Sequence, residues 1–406
     1  MKKIFLISLG LLLSSLSLLT AEDGVEFSGS IESIWGICAP WTDKDTSAGK
    51  LKLGTTNFSG KVDAYYGKSS ACVEAAFSYD AATSLTGGNG SGNLGGGFDL
   101  SLGEAWIDYT DSFWGLRIGR QKTVWGKADG IDITNVICPS DLSSLAAMIS
   151  DDSKLAVDAV RFSLNGNLFT ADAWWIPFFT PADLPEGSFS SLNYPEAAIW
   201  NGEYALRLSG YLSALDLSLY AFYGWDDNPF MADTSMKGEY ERMTMLGADA
   251  ALPLGQTVLR LETAFFPQRY FQKSLYSGLG SQQHNQLSGL AGIDWISNGW
   301  TITAQYYCDY VFGNLDSLNR TQAYEHGASL SISKSLVNET LELSFSGLMG
   351  FNDFDSMLSP SVNYSISDQI KIGMCAYFFL PGPDRDGKYG AYKDYSSFCI
   401  NAKFSF

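Results

Sequence analysis

Apolar and polar residues alternate along most of the chain, in about eighteen segments of roughly ten to fourteen residues. In the last segment, one parity carries Phe398, Ile400, Ala402, Phe404 and Phe406, and the other carries Cys399, Asn401, Lys403 and Ser405. Successive side chains of a β-strand point to opposite faces. Each segment therefore predicts a strand with one apolar face and one polar face.

The connections between these segments alternate between short turns and long loops. Short turns are predicted near residues 67–70, 111–112, 165–167, 213–215, 253–255, 297–299, 338 and 367–368, and longer polar stretches separate the hairpins. Barrels of the outer membrane have short turns on the periplasmic side and long loops outside. We therefore predict an all-β protein, a transmembrane antiparallel β-barrel of about 16–18 strands that occupies residues 22–406.

The N-terminus predicts a secretory signal peptide over residues 1–21. Lys2 and Lys3 precede an apolar run from Ile4 to Leu19, and Ala21 is a suitable cleavage position. This run is too short to anchor a mature membrane protein. No later stretch approaches about 18 uncharged apolar residues in a row, so the sequence does not predict a bundle of transmembrane helices.

Composition argues against nucleic acid as a partner. The chain has 26 Lys and Arg against 44 Asp and Glu, a net charge of -18 at pH 7, and such a surface repels phosphate groups. It also contains 25 Phe, 21 Tyr, 11 Trp and 41 Gly. This composition suits the aromatic girdles of an outer-membrane barrel, although a secreted β-sandwich would share part of it.

The sequence contains no pattern that indicates an enzyme, a metal site or a cofactor. His284 and His326 are the only histidines, there is no CxxC pair, and the motifs GxSxG and HExxH and the P-loop are absent. We therefore expect a protein that is not an enzyme.

Six cysteines are scattered at positions 38, 72, 138, 308, 375 and 399. An exported chain permits disulfides without requiring them. Cys375 and Cys399 fall on the polar faces of neighbouring strands, where we expect free thiols because a direct cross-strand bond is often strained. Cys38 and Cys138, in two external loops, are another candidate pair. Pro360 interrupts one segment and is expected near a strand end or a bulge.

The chain resembles bacterial outer-membrane barrels of the porin type. The last strand ends in Phe404-Ser405-Phe406, which is similar to the C-terminal signature that the barrel-assembly machinery reads in that family. The motif GRQ-x3-WG (Gly119–Gln121 and Trp125–Gly126), followed by Asn135 and Pro139-Ser140-Asp141, resembles a group of poorly characterised Gram-negative barrel proteins. The resemblance implies a channel and names no solute.

In general porins the third external loop folds into the barrel and narrows the pore, and this resemblance points to residues 121–154. They form the longest interval without alternation and follow long loops at residues 38–55 and 81–97. The candidate constriction residues are Asp129, Asp132, Asp141, Asp151, Asp152, Lys122 and Lys127. The alternative is an ordinary solvated loop of Asx-turns, with a short helix near Leu145 capped by Ser140 or Asp141.

The candidate wall of the pore follows from strand parity, because a charge on the lipid face costs about 2–4 kcal/mol at the bilayer midplane. The candidates on the inward parity are Arg117, Arg161, Arg207, Arg260, Glu104 and Asp108, and Arg120 is added because it flanks residues 121–154. The arginines next to the loop could bind an anionic solute, or they could pair with carboxylates and seal the loop to the wall. General porins have a larger basic cluster there, so we do not expect strong ion selectivity.

We therefore predict an outer-membrane porin, a passive diffusion channel for small hydrophilic solutes, with membrane lipid and the barrel-assembly machinery as partners. One alternative is a channel selective for sugars or amphipathic organic molecules. Another alternative is a surface adhesin or structural barrel without an open pore. A homo-oligomer, including a trimer, is compatible with the sequence.

Overall fold

The computed structural model describes residues 24–39, 48–81, 96–148, 153–212, 214–320 and 322–406, so the predicted signal peptide lies outside the described residues. Eighteen strands form one sheet in which every neighbouring pair is antiparallel. The first strand pairs with both the second and the last strand, which closes the sheet into a barrel. The predicted all-β barrel is confirmed, with a strand number at the upper end of the expected range.

The barrel strands are β1 (Gly24–Cys38), β2 (Leu51–Tyr66), β3 (Ser69–Asp80), β4 (Phe98–Thr110), β5 (Trp114–Gln121), β6 (Val157–Asn165), β7 (Phe169–Ile176), β9 (Glu203–Leu212), β10 (Leu215–Trp225), β13 (Arg242–Leu254), β14 (Thr257–Gln272), β15 (Ser281–Ser297), β16 (Trp300–Val311), β17 (Tyr324–Leu336), β18 (Leu341–Gly350), β19 (Asp355–Ser365), β20 (Ile370–Leu380) and β21 (Ser397–Ser405). A separate three-stranded sheet in the loops consists of β8 (Ser191–Asn193), β11 (Phe230–Met231) and β12 (Lys237–Glu239). The helices are α1 (Leu145–Met148), α2 (Gly387–Gly390) and three 3-10 turns at Ile199–Asn201, Leu275–Ser277 and Lys393–Tyr395. Within the described ranges, no helix has the length and hydrophobicity needed to cross a membrane.

Short and long connections lie at opposite ends of the barrel. The eight connections at one end contain at most four residues each. One of them is the Asn298–Gly299 turn, in which both residues have positive φ (50° and 74°), as a tight hairpin of this kind requires. The other end carries nine connections, L1–L9, of which L3 (residues 122–156) is the longest and only L8, between β18 and β19, is as short as a turn.

The two faces of the wall differ as the alternating pattern predicts. Between β10 and β15, five outward side chains are each at least 38% exposed: Leu217, Leu219, Leu246, Leu261 and Ile293. Five inward side chains of the same strands are at most 7% exposed: Ser218, Tyr220, Asp249, Glu262 and Asp294. The inward polar side chains of these strands are therefore shielded from solvent by other residues inside the barrel.

Two local expectations are wrong. Pro360 lies in the middle of β19 and not at its end. It pairs with Phe345 of β18, and the ladder to β20 is interrupted there, because pairing resumes only at Ser361. A proline cannot donate the hydrogen bond that a regular ladder needs, so the interruption removes the conflict.

The cysteine pairings also differ from expectation. Cys375 and Cys399 lie directly opposite each other on β20 and β21 and form a disulfide, where free thiols were expected. No disulfide joins Cys38 to Cys138. The thiol of Cys38 donates to the carbonyl oxygen of Asp394 at 3.5 Å, and Cys138 is buried within L3.

Candidate functional site

The first half of L3 lies inside the barrel and reaches its far wall. The backbone N–H of Asp129 donates to Oε1 of Gln305 at 2.9 Å, and Nε2 of Gln305 donates back to the Asp129 carbonyl at 2.7 Å. Gln305 is on β16, which is eight strands around the wall from β5, where L3 begins. Nine strands would be directly opposite in an eighteen-stranded barrel, so L3 crosses the lumen.

A single carboxylate on the wall holds this half of L3 in place. Glu262, on β14, is 4% exposed. Its Oε2 accepts the backbone N–H groups of Lys127 at 2.7 Å and Ala128 at 2.9 Å. Its Oε1 accepts the N–H and hydroxyl of Thr134 at 2.8 and 2.7 Å. Four donors compensate for the cost of burying this charge and orient the loop at the same time.

Apolar packing seals L3 against the same part of the wall. Trp125 lies between Trp174 of β7 and Tyr220 of β10, with ring centroids at 5.5 and 4.8 Å. Ile133 and Ile137 belong to the same buried cluster, which includes inward side chains of β6, β7, β9, β10, β13, β14 and β15. Along this sector L3 and the barrel wall share a hydrophobic core whose side chains are buried from solvent.

The second half of L3 contacts the opposite side of the barrel. In α1, Leu145 packs against Leu53 of β2, Phe379 of β20 and Cys399 of β21. The helix is capped by Ser144, whose hydroxyl accepts the N–H of Ala147 at 3.2 Å, and not by Ser140 or Asp141 as predicted. L3 therefore touches the wall on two sides.

The acidic residues predicted in L3 have different roles. Asp129 is exposed, and only its backbone has hydrogen-bond partners among the described residues. Asp132 accepts from Nζ of Lys154 at 2.5 Å and from Nδ2 of Asn135 at 2.9 Å. Asp141 accepts the N–H and hydroxyl of Ser143 at 3.0 and 2.6 Å, which is turn chemistry. Asp151 and Asp152 lie outside the described residues.

The predicted lysines Lys122 and Lys127 attach L3 to the wall through their backbones, whereas the one cysteine of L3 contributes to the loop's own structure. The backbone N–H of Lys122 donates to Oε1 of Glu104 on β4 at 2.8 Å, and the Lys127 carbonyl accepts from Nη1 of Arg260 at 2.8 Å. The sulfur of Cys138 accepts the N–H of Thr123 at 3.2 Å, and burial raises the pKa of this thiol to about 11. Cys138 is therefore a neutral thiol at physiological pH.

Three arginines of the predicted wall form a row on β5, β6 and β9, with β7 between the last two strands. Arg117 of β5 donates to Asp108 of β4 at 2.9 Å and stacks on Trp106 with its guanidinium carbon 3.8 Å from the ring centroid. Its register partner on β6 is Arg161. These arginines pair with carboxylates of the wall, and none of the carboxylates in the described part of L3 pairs with them.

The row continues through one buried aspartate. Asp172 of β7 accepts Nη2 of Arg161 at 2.8 Å on one oxygen and Nη2 of Arg207 at 2.7 Å on the other. Both guanidinium carbons lie within 5.6 Å of the Trp174 ring centroid. Three arginines and two aspartates leave this row with a local charge of +1 when all five are ionised.

Two other wall candidates lie elsewhere. Arg120 has the parity of the outward residue Ile118, donates to the Leu102 carbonyl at 3.2 Å and lies 3.5 Å from Asp158, so it faces away from the lumen. Arg260 faces inward, pairs with Asp294 and supports L3 through the Lys127 carbonyl. The first placement corrects the prediction, because strand parity puts Arg120 on the lipid side.

Sequence reasoning missed a serine sector, which we define as the eight inward serines of β17, β18 and β19. They are Ser329, Ser331, Ser333, Ser335, Ser344, Ser346, Ser359 and Ser361. All are intermediate in exposure except Ser346, which is exposed. The alternation in YEHGASLSISKSL contained the signal, since every second residue from Ser329 to Ser335 is serine.

Comparison with known proteins places the chain in a family. A family model described as "Protein of unknown function (DUF1302)" matches residues 45–389. The chain belongs to this DUF1302 family. No curated protein matches the sequence.

The fold of this DUF1302 member is similar to solved outer-membrane channels. Acinetobacter baumannii OccAB1 has a TM-score of 0.59 at 10% identity, covering 94% of this chain and 96% of the channel. Pseudomonas aeruginosa OccK8 (OprE) has a TM-score of 0.56 at 12% identity, covering 94% and 98%. A. baumannii OccAB3 has a TM-score of 0.55 at 12% identity, covering 94% and 99%. At these identities the similarity concerns the fold.

Proposed function

We propose that this chain is an outer-membrane channel through which small hydrophilic solutes diffuse passively. The observation that carries the proposal is the position of L3, which crosses the lumen of a closed eighteen-stranded barrel and is fastened to the far wall by Glu262 and Gln305. A loop held across a lumen sets the width of a passage. The signal peptide, the outer-membrane location and the assembly signal at Phe404 and Phe406 remain predictions, as does a homo-oligomer.

The passage we propose runs along the serine sector. L3 buries the inward faces of β9, β10, β13 and β14, where Ser209, Ser218, Asp249 and Glu262 are at most 7% exposed. The serine sector keeps its hydroxyl groups accessible instead. Hydroxyl groups replace the hydration of a polar solute without binding it tightly, which suits a diffusion path.

Asp129 and the arginine row are the charged groups we propose to face this passage. Asp129 is the exposed carboxylate of the described part of L3 that no side chain neutralises. Arg117, Arg161 and Arg207 are each about one-quarter exposed and hold a small positive excess. Groups of both signs in one lumen fit a channel with modest ion preference.

Planar-bilayer conductance tests the proposal. The purified barrel is compared with a variant that lacks residues 140–152 of L3, and with a length-matched control that lacks residues 82–94 of L2 (residues 81–97). We expect a measurable conductance for the wild type, a larger one for the L3 deletion, and no change for the control. Absence of conductance in both wild type and the L3 deletion would contradict the proposal.

A structural barrel with a closed lumen is the second candidate function. It is favoured by the contacts of L3 on two sides of the wall and by L9 (residues 381–396), which reaches the wall where the hydroxyl groups of Tyr389 and Tyr307 lie 3.0 Å apart. For this candidate, the wild type would not conduct and the L3 deletion would. The same pair of measurements therefore separates the two functions.

A further inference from the structure

A cavity of about 170 Å³ lies between L3, L4 (residues 177–202), L5 (residues 226–241) and the outer part of β14. Its lining includes Asp132, Lys154, Ala182, Asp227, Phe266 and Arg269. One ordered water needs only about 15 Å³ of such volume. The cavity can therefore take a small organic molecule.

Two of the three carboxylates in this cavity are already neutralised. Arg269 donates to Oδ2 of Asp226 through Nε at 3.0 Å and Nη2 at 2.8 Å. Lys154 donates to Oδ2 of Asp132 at 2.5 Å. The third, Asp227, receives no hydrogen bond and no ion pair on its carboxylate from any residue in the described ranges; only its backbone carbonyl is used, by the N–H of Ala182 at 3.1 Å.

The charge balance leaves this carboxylate uncompensated. Three aspartates against one lysine and one arginine leave the lining with a charge of -1 when all five are ionised. Burial, followed by repulsion from Glu203 and Asp226, raises the pKa of Asp227 well above its usual range, although Lys154 and Arg269 oppose the shift. In its ionised form, the Asp227 carboxylate therefore has no neutralising partner within the described part of the protein.

We propose that the cavity binds a small organic cation, with the ammonium group of the ligand on the Asp227 carboxylate and its alkyl part on Val136, Met243 and Phe266. An organic cation fits better than a metal ion, because hard cations need several oxygen ligands and only one carboxylate is unpaired. The described part of the chain also contains no group of three residues suited to hold a metal. Binding here does not depend on passage through the barrel.

The probe for this site is butylammonium, and the readout is ligand-observed NMR on the barrel in detergent micelles. We compare it with 1-butanol and butyrate, which have similar size but no positive charge. We expect saturable broadening for butylammonium alone, and Asp227→Asn is expected to weaken binding about tenfold because a charge-assisted contact is lost. Asp316→Asn, which removes an exposed carboxylate in L7 (residues 312–323), is the matched control and leaves binding unchanged.

Equal binding of butylammonium to wild type and Asp227→Asn would overturn the proposal, as would equal binding of 1-butanol. A failure of this kind is distinct from a failure of the channel proposal, because a non-conducting barrel still binds the probe. Saturable broadening for butyrate alone, and not for butylammonium, would show that Lys154 or Arg269 is the binding group. That result would also overturn the proposal.

Stability provides a readout that a merely structural role would not produce. A carboxyl group whose pKa is raised by folding destabilises the folded state at any pH above its unfolded value, and has no effect in acid where both states are protonated. Asp227→Asn should therefore raise the melting temperature at pH 7 and leave it unchanged near pH 3. A lower melting temperature at pH 7 would identify Asp227 as a structural residue and contradict the proposal.

Discussion

Two sectors of the same wall use their inward face in opposite ways. Beneath L3, the inward side chains of β10, β13 and β14 include Tyr220, Asp249 and Glu262, all at most 6% exposed. In the serine sector the same parity carries a run of small hydroxyl side chains, and these remain accessible. Strand pairing is equally regular in both sectors, so the backbone does not cause the difference.

The two sectors differ in what provides hydrogen-bond partners to their inward side chains. Burial of a carboxylate is costly unless donors surround it, and L3 provides four of them to Glu262. Where no loop covers the wall, water can donate hydrogen bonds to the inward polar groups. Short side chains in such a sector also leave the lumen wide. Large ionisable residues under L3 and serines three or more strands further along the wall are therefore two parts of one arrangement. The loop covers the first sector, and small side chains leave the lumen open along the second.

The largest expected effect comes from removing the carboxylate that holds L3. In Glu262→Ala, three backbone N–H groups and the Thr134 hydroxyl lose their acceptor, at a cost of about 3 kcal/mol. That is about a 100-fold rise in the population with L3 released. Single-channel recordings should show frequent transitions to a higher conductance level.

Glu342→Ala is the control for that variant, because Glu342 is an inward carboxylate of β18 with no hydrogen bond or ion pair from the described part of L3. It should not produce the transitions. Gly126→Ala is a second way to disturb the same contact: Gly126 has a φ of 89°, and an added Cβ would overlap the Glu262 carboxylate. If neither Glu262→Ala nor Gly126→Ala alters the recordings, L3 is not held as described.

Alternation and connection length were sufficient to predict the barrel, because lipid demands apolar side chains on one parity of every strand. The resemblance to general porins, combined with a count of the long loops, pointed to residues 121–154 as the connection that enters the lumen. These patterns could not predict how L3 is held, since Glu262 and Gln305 are distant from it in sequence and parity only shows that they point inward. Asp132 and Asp141 could not be distinguished from Asp129 as constriction candidates in the sequence, but in the structure both carboxylates accept hydrogen bonds from neighbouring residues of L3.

A smaller effect is expected in the arginine row, which lies beside the covered sector. Asp172→Asn leaves Arg161 and Arg207 without a charged partner and raises the local charge from +1 to +2. Reversal potentials measured in a salt gradient should shift in the direction of greater anion selectivity. Ser163→Ala, which removes a hydroxyl 2.5 Å from the same carboxylate without a change of charge, should not shift them. An unchanged potential in Asp172→Asn would place the row outside the passage.

Cysteine accessibility compares the two sectors directly. In a Cys308→Ala background, Ser331→Cys should react with a negatively charged methanethiosulfonate within minutes, and the conductance should fall. Ser209→Cys should remain unreacted, because Ser209 is 6% exposed on the inward face of β9. The native Cys38, Cys72 and Cys138 are buried and should not contribute. Equal reactivity at both positions would mean that L3 does not divide the lumen.

The smallest expected effect concerns two matching pairs of hydroxyl groups. Ser209 and Ser218 lie 3.2 Å apart and are buried, whereas Ser344 and Ser361 lie 2.5 Å apart in the serine sector. Ser209→Ala leaves a buried hydroxyl without its partner and should cost about 1 kcal/mol of unfolding free energy. Ser344→Ala should cost less than about 0.5 kcal/mol, because water in the lumen replaces the lost partner of Ser361. Urea unfolding in lipid vesicles measures both costs, and equal losses would show that the serine sector is as dry as the sector beneath L3.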